Sequence, residues 1–315
     1  MVSAGARGLP SPDLSTRVGP LRLQNPILTA SGTFGYGLEF AERADLHRLG
    51  GLVTKGLSLE PLAGNPPVRI AETRGGMLNS IGLQNIGVDR FLNEVLPGLK
   101  DLPPKVIVNL FGSAQDEYVR LAERVEPYEG VAAVELNVSC PNVSKGGIEF
   151  GHDPEILSRL VRRVRSATGK PIVVKLSPNV TSPQALAGAA KEGGADILSA
   201  VNTFVGMAID TATMRPILST IRGGLSGPAI KPLALRIVFD VAREVDLPVI
   251  GIGGVETVDD VLEFLLAGAS AVQVGTALFR DPRTAERLVD GLRERLQAEG
   301  IPSVDSLIGA AARPE

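Results

Sequence analysis

Short runs of β-branched and aliphatic residues alternate along this chain with longer stretches whose apolar residues recur every three or four positions. The short runs predict strands at Ile27–Thr29, Gly51–Thr54, Lys105–Asn109, Ala133–Val138, Pro171–Leu176, Ile197–Val201, Pro248–Gly251 and Ala271–Val274. The longer stretches predict helices, among them Pro154–Thr168, Pro183–Glu192, Lys231–Val245 and Val258–Leu266. In the first of these, Ile156, Leu157, Leu160, Val161 and Val164 gather on one face, while Arg159, Arg162, Arg163 and Arg165 fall elsewhere. Asp153 followed by Pro154 suits a helix start, with a capping side chain and then proline in the first turn.

Eight Val- and Ile-rich strands, each followed by a helix, imply a parallel sheet covered by helices. Eight units favour an α/β fold of the closed (β/α)8, TIM-barrel kind over an open doubly wound sheet. Ser15–Leu23 reads as a hairpin turning at Gly19-Pro20 and is expected to cap the barrel floor. Two segments, Gly56–Val88 and Asn202–Ile230, exceed ordinary βα loops and are expected to lie over an active site. Residues 1–13 read as a flexible N-terminal arm and residues 14–315 as a single barrel domain.

Composition narrows the function. A length of 315 residues with 44% hydrophobic residues is enough for one large core. A net charge of −3 with no basic run argues against nucleic acid as a partner. No apolar stretch approaches the roughly 20 residues needed to span a bilayer, and the first residues lack the apolar core of a secretion signal. The single cysteine, Cys140, cannot form an internal disulfide, which fits a cytoplasmic protein. One thiol also cannot supply the four ligands of an ordinary iron–sulfur cluster, and no metal site is expected.

In a barrel of this kind the active site lies at the C-terminal ends of the strands. Those ends carry Ser31-Gly32, Lys55-Gly56, Asn109, Asn137 with Cys140, Lys175, Asn202-Thr203, Gly253-Gly254 and Gly275-Thr276. Asparagine and glycine are common turn residues. Turn chemistry does not explain two lysines and three asparagines just beyond different buried strands, where unpartnered polar groups are costly. Glycine turns after the last two strands, GIGGV (Gly251–Val255) and VGTALF (Val274–Phe279), suit a phosphate held by backbone N–H groups. A lysine fixed beside a flavin would stabilise its reduced form. No G-x-G-x-x-G fingerprint follows a strand, so no dinucleotide-binding unit is expected.

The segments NSIGLQN (Asn79–Asn85), NVSCPN (Asn137–Asn142), VVKLSPN (Val173–Asn179), AVNT (Ala200–Thr203), GGLSGPAIKP (Gly223–Pro232), GIGG and VGT resemble the class 1 dihydroorotate dehydrogenases, in order, from about Asn25 to about Phe279. The resemblance implies FMN-dependent oxidation of (S)-dihydroorotate to orotate in pyrimidine biosynthesis. It implies Cys140 as the base that removes the C5 proton. Substrate contacts would be Lys55, Asn79, Ser80, Ile81, Gly82, Leu83, Asn137, Asn202 and Thr203. The FMN shell would be Ser31, Lys55, Gly56, Asn109, Asn137, Lys175, Val201, Gly227, Gly253, Gly254, Gly275 and Thr276. The loop VSKGGIEFG (Val143–Gly151) is similar to that of subclass 1B. That subclass pairs this kind of chain, as a homodimer within a heterotetramer, with a subunit carrying FAD and a [2Fe–2S] centre and passes electrons to NAD. Subclass 1A is a homodimer that uses fumarate, and class 2 uses serine as base and carries a membrane-associating extension.

The residue chemistry agrees with the resemblance. Desaturation needs a base for a proton and a pocket rich in hydrogen bonds for the ring. Asparagine amides match both the N–H and C=O edges of a pyrimidine, and Lys55 balances a carboxylate. A free thiol ionises near a pH of about 8.5, so Cys140 needs tuning to act as a base. Lys145-Gly146-Gly147 reads as a hinge for a flap. The rival readings are a flavin-free isomerase or synthase, a reductase of uracil or of uridine in tRNA, and a non-enzymatic scaffold. A bound yellow chromophore separates the first of these from a flavoenzyme, and failure to bind any small ligand would favour the last.

Overall fold

The computed structural model describes residues 11–138 and 150–312. Eight parallel strands close into a barrel: β1 (Ile27–Thr29), β2 (Gly51–Val53), β3 (Lys105–Leu110), β4 (Ala133–Asn137), β5 (Ile172–Lys175), β6 (Ile197–Ala200), β7 (Val249–Ile252) and β8 (Ala269–Val274). Neighbours in the chain are neighbours in the barrel, and β8 pairs with β1 to close it. The predicted (β/α)8 architecture is therefore correct, with strand ends displaced by one or two residues. Helices cover the outside at Gln115–Val125, Pro154–Ala167, Pro183–Gly193, Lys231–Glu244, Val258–Leu266 and Thr284–Ala298. Asp153 caps the second of these as expected, its carboxylate accepting from the Ile156 amide at 3.0 Å.

Alternation along each strand divides the apolar residues into two cores. Outward residues such as Val106, Val108, Val134, Leu136, Ile172 and Val174 pack with the helices. Inward residues Leu28, Val53, Ile107, Ala133, Val173, Ile197, Ile250 and Ala271 form a separate interior cluster. Val18, Leu21 and Leu23 of the N-terminal hairpin, Thr16–Val18 against Leu21–Leu23, belong to that cluster, so the hairpin closes the barrel bottom. Its turn must come close: Gly19 has a φ of +56°, and a Cβ there would lie 3.1 Å from Ile197 Cγ1 and 3.2 Å from the Asp196 carbonyl.

The two long segments do more than cover the mouth. Ile70–Thr73 and Gly76–Asn79 come from the first, Phe204–Gly206 and Gly223–Ser226 from the second. They join in one antiparallel sheet in which Gly223–Ser226 pairs with Gly76–Asn79. A Cβ at Gly76 would strike the Ser226 carbonyl, so glycine is needed for this approach. Asp13, at the end of the expected arm, is bridged to Ser303; residues 1–10 lie outside the described residues.

Candidate active site

Closed eight-stranded barrels fill their interior with layers of four side chains drawn from alternate strands. Counting upward by two from the apolar cluster gives three layers here. Val53, Glu135, Ser199 and Gln273 come from the even strands; Ala30, Asn109, Lys175 and Ile252 from the odd strands above them; then Lys55, Asn137, Val201 and Gly275 from the even strands again. All eight residues of the upper two layers line one cavity of about 370 Å³. The alternation that seals the floor with hydrocarbon thus delivers polar groups to the mouth two or four residues later.

The middle layer supports the floor of this cavity. Lys175 and Asn109 are buried, and Lys175 Nζ donates to Ser31 Oγ at 3.1 Å. Asn109 Nδ2 donates to Glu135 Oε1 at 2.7 Å, and its Oδ1, although buried, has no hydrogen-bond partner among the described residues. On another wall Asn202 Nδ2 donates to Asn137 Oδ1 at 3.2 Å, and the Thr203 amide donates to Asn202 Oδ1 at 2.8 Å. Asn79 closes the side, its Nδ2 donating to the Gly224 carbonyl at 3.3 Å across the mouth sheet.

Lys55 stands half-buried beside Arg69. Burial, and then the Arg69 guanidinium, hold its ammonium below the usual lysine range, with Glu39 opposing them. Among the described residues the Lys55 ammonium makes no hydrogen bond and no ion pair. Arg69 is itself steadied by Gln84, whose Oε1 accepts from Nη1 at 3.1 Å.

The far end is made of glycine. Gly227, Gly253 and Gly254 have φ values of +102°, +135° and +75°. A Cβ at Gly254 would lie 2.9 Å from the Gly227 carbonyl. Gly275 differs: a Cβ there would meet only Ala30 and Thr33 methyl groups, at 3.5 and 3.7 Å. Its missing side chain is not demanded by the chain and leaves space in the cavity.

The family model for dihydroorotate dehydrogenase matches residues 13–296. The chain belongs to the dihydroorotate dehydrogenase family. It is 56% identical to the protein named dihydroorotate dehydrogenase B (NAD(+)), catalytic subunit, of Geotalea uraniireducens, over 95% of this chain and 98% of that one. The protein of the same name from Geobacter sulfurreducens is 55% identical over the same shares. The crystal structure of DHODH from Eimeria tenella in complex with ferulenol superposes with a TM-score of 0.81 at 24% identity, covering 100% of this chain and 92% of that one. That likeness speaks for the barrel alone.

Within this family member the cavity gathers Ser31, Lys55, Gly56, Asn79, Ile81, Gly82, Leu83, Asn109, Asn137, Lys175, Val201, Asn202, Thr203, Gly227, Gly253, Gly254, Gly275 and Thr276. Ser80 is not among the lining residues. It is fully buried behind the wall, with its hydroxyl against Thr220 Oγ1 at 2.5 Å and receiving Asn65 Nδ2 at 3.0 Å. Cys140 and the Lys145–Gly147 hinge lie outside the described residues. Sequence reasoning missed Arg69, Gln84 and Phe279 on the cavity wall and Glu135 beneath its floor. No local period singles out the first three. Glu135 did carry a signal, a lone carboxylate inside the apolar strand AVELN.

The two kinds of glycine should separate in experiment. Gly254→Ala forces a residue with a Cβ into left-handed backbone and should cost about 1–2 kcal/mol in urea unfolding. Gly275→Ala should change stability by less than about 0.5 kcal/mol yet weaken binding of a phosphate-bearing ligand. Equal effects of both on stability would show that Gly275 is structural.

Proposed function

We propose that this chain is the FMN-containing catalytic subunit of an NAD-linked dihydroorotate dehydrogenase, oxidising (S)-dihydroorotate to orotate in pyrimidine biosynthesis. The observation that carries the reading is the cavity rim, where the Lys55 ammonium, unpaired among the described residues, faces the same space as the amides of Asn79, Asn137 and Asn202. An ammonium suits the substrate carboxylate, and amides that both donate and accept suit the ring. The names of the relatives, which include NAD(+) and catalytic subunit, support the subclass 1B reading over a fumarate-using homodimer.

The residues present fit FMN. Asn109 offers a buried acceptor with no partner among the described residues, Lys175 and Lys55 supply positive charge, and Gly275 leaves room at the glycine end. Ser31, Lys55, Gly56, Asn109, Asn137, Lys175 and Val201 would hold the ring, and Gly227, Gly253, Gly254, Gly275 and Thr276 the phosphate. When bound, FMN supplies the acceptor for the hydride from C6. Lys55 and the asparagines hold the ring of the substrate in register, and the mouth sheet limits water. Cys140, three residues past Asn137, takes the C5 proton. The chain has no dinucleotide fingerprint, so electrons pass to NAD through a second subunit carrying FAD and a [2Fe–2S] centre, on a homodimer within a heterotetramer.

Purified protein should be yellow, release FMN in acid, and bleach on addition of dihydroorotate. Finding FAD, or no flavin after reconstitution, would sink the reading. Cys140→Ala should keep FMN yet slow bleaching by about 10²–10⁴-fold in stopped flow, and Cys140→Ser should retain a little activity that rises with pH. Near-normal bleaching in Cys140→Ala would assign the proton to another group.

Orotate affinity should depend on the charge of Lys55. The bound carboxylate needs the ammonium, so affinity is full at low pH and falls as pH rises through the lysine's ionisation. Because that ionisation is lowered by burial and by Arg69, the fall should begin below the range of an ordinary lysine. Lys55→Met should weaken orotate by roughly 10–100-fold, the value of a hydrogen bond to a charged group, and remove this pH dependence. Isothermal titration across pH reads both, and an unchanged profile in the variant would remove Lys55 from carboxylate binding.

The partner is tested by assaying the chain alone. It should reduce NAD poorly with dihydroorotate as donor, and recover on adding the electron-transfer subunit. Efficient NAD reduction without it would contradict the partner, and fast fumarate reduction would move the chain to subclass 1A.

A further inference from the structure

Beneath the cavity floor lies a charged group that the reaction above does not use. Glu135 on β4 has no exposed surface. Its Oε2 accepts from the Ser199 hydroxyl at 2.8 Å and from Gln273 Nε2 at 3.1 Å. Its Oε1 accepts from Asn109 Nδ2 at 2.7 Å and lies 4.0 Å from Lys175 Nζ. Four other strands thus converge on one carboxylate. Such a layer is ordinarily filled with branched hydrocarbon, and replacing buried ionic clusters by well-packed apolar residues is often neutral or stabilising. Barrel stability therefore does not account for the group.

We propose that Glu135 is a positioning residue that fixes how Asn109 and Lys175 face the cavity and, through its charge, sets how readily a flavin bound there accepts electrons. This rests on the FMN reading above. A carboxylate only accepts hydrogen bonds, so the Asn109 amide must turn its NH2 down to Oε1 and its carbonyl oxygen toward the cavity. That is the oxygen left without a partner. A neutral amide at 135 could donate as well as accept and would no longer enforce this orientation. The same carboxylate holds a negative charge behind Lys175. Electrons added to a ring beside Lys175 add negative charge, which the lysine favours and Glu135 opposes. The pair sets a balance between the two.

The test is the two-electron reduction equilibrium of bound FMN, measured by dye-linked titration, with FMN affinity and thermal unfolding recorded alongside. Glu135→Gln keeps the shape and removes the charge. It should retain FMN and shift the equilibrium toward the reduced form by about tenfold, which is about 30 mV for two electrons. Glu135→Asp, which keeps the charge, should stay within about threefold. An unchanged or lowered equilibrium in FMN-loaded Glu135→Gln overturns the inference alone. Failure of the unmodified chain to bind FMN overturns the cofactor reading and this inference with it. If Glu135→Gln does not fold, Ser199→Ala serves instead. It strips one donor from Oε2, leaves the charge less neutralised, and should shift the equilibrium toward the oxidised form by roughly threefold, the value of one ordinary hydrogen bond. No shift there overturns the inference equally.

Discussion

The buried carboxylate of Glu135 constrains everything above it. A charge with no exposed surface is tolerated only where its lone pairs are filled. Here the filling comes from Asn109 on β3, Ser199 on β6 and Gln273 on β8, with Lys175 on β5 supplying the opposite charge. Each of those strands must therefore hold its register to within a residue, because a slip of one would turn its polar side chain into the outer, helix-facing core. The apolar layer immediately below and the hairpin plug seal this layer from solvent. Sealing raises the cost of any missing partner, so the polar layer specifies the barrel while adding little to its stability.

A second constraint acts at the mouth. The sheet that joins the two long segments places Asn79 opposite Gly224. Residues 145 positions apart in the chain therefore share one wall. The glycines at this seam serve close approach. A Cβ at Gly227 would lie 2.6 Å from Gly76 Cα, and one at Gly223 2.5 Å from Leu218 Cδ1. Thr276 Oγ1 donates to or accepts from Ser226 Oγ at 2.8 Å, tying this sheet to the end of β8. The cavity wall is thus one hydrogen-bonded surface running from the mouth sheet to the glycine turns.

The same alternation explains what could be read from the sequence. Strand runs such as KVIVNL and PIVVKL announce themselves by composition, and their last polar residues, Asn109 and Lys175, fall at the cavity because the interior period is two. Polar residues at or just past the strand ends were legible for this reason. Ser199 and Gln273 were not, since each is a neutral polar residue inside its strand run; Glu135 stood out only as a lone carboxylate, with no sign of the layer it gathers. Ser80 shows the opposite failure: its neighbours Asn79, Ile81, Gly82 and Leu83 line the cavity while its own side chain turns into the wall. The mouth sheet was hidden because Ile70–Thr73 is only partly buried and lacks a hydrophobic face of its own. Its pairing is decided by a partner far along the chain, which no local pattern reveals.

The rim leaves one electrostatic account open in the ligand-free chain. Lys55 and Arg69 place two positive charges on one wall, and both burial and mutual repulsion disfavour the lysine's charge. Glu135 cannot relieve them, because its oxygens are already occupied in the layer below. Glu39 opposes burial and repulsion as the smallest of the three causes, and its oxygens already receive the Tyr36 amide. An anion entering between Lys55 and Arg69 would remove the repulsion and gain both attractions at once. The cost of holding the two cations together is carried by the free protein, so under the proposed function the difference would appear as affinity and as selectivity for a ring that bears a carboxylate. A neutral pyrimidine would meet the same amides without that gain. On the proposed reading, discrimination between the two would reside in the pair of cations rather than in the asparagines, whose amides suit either ring.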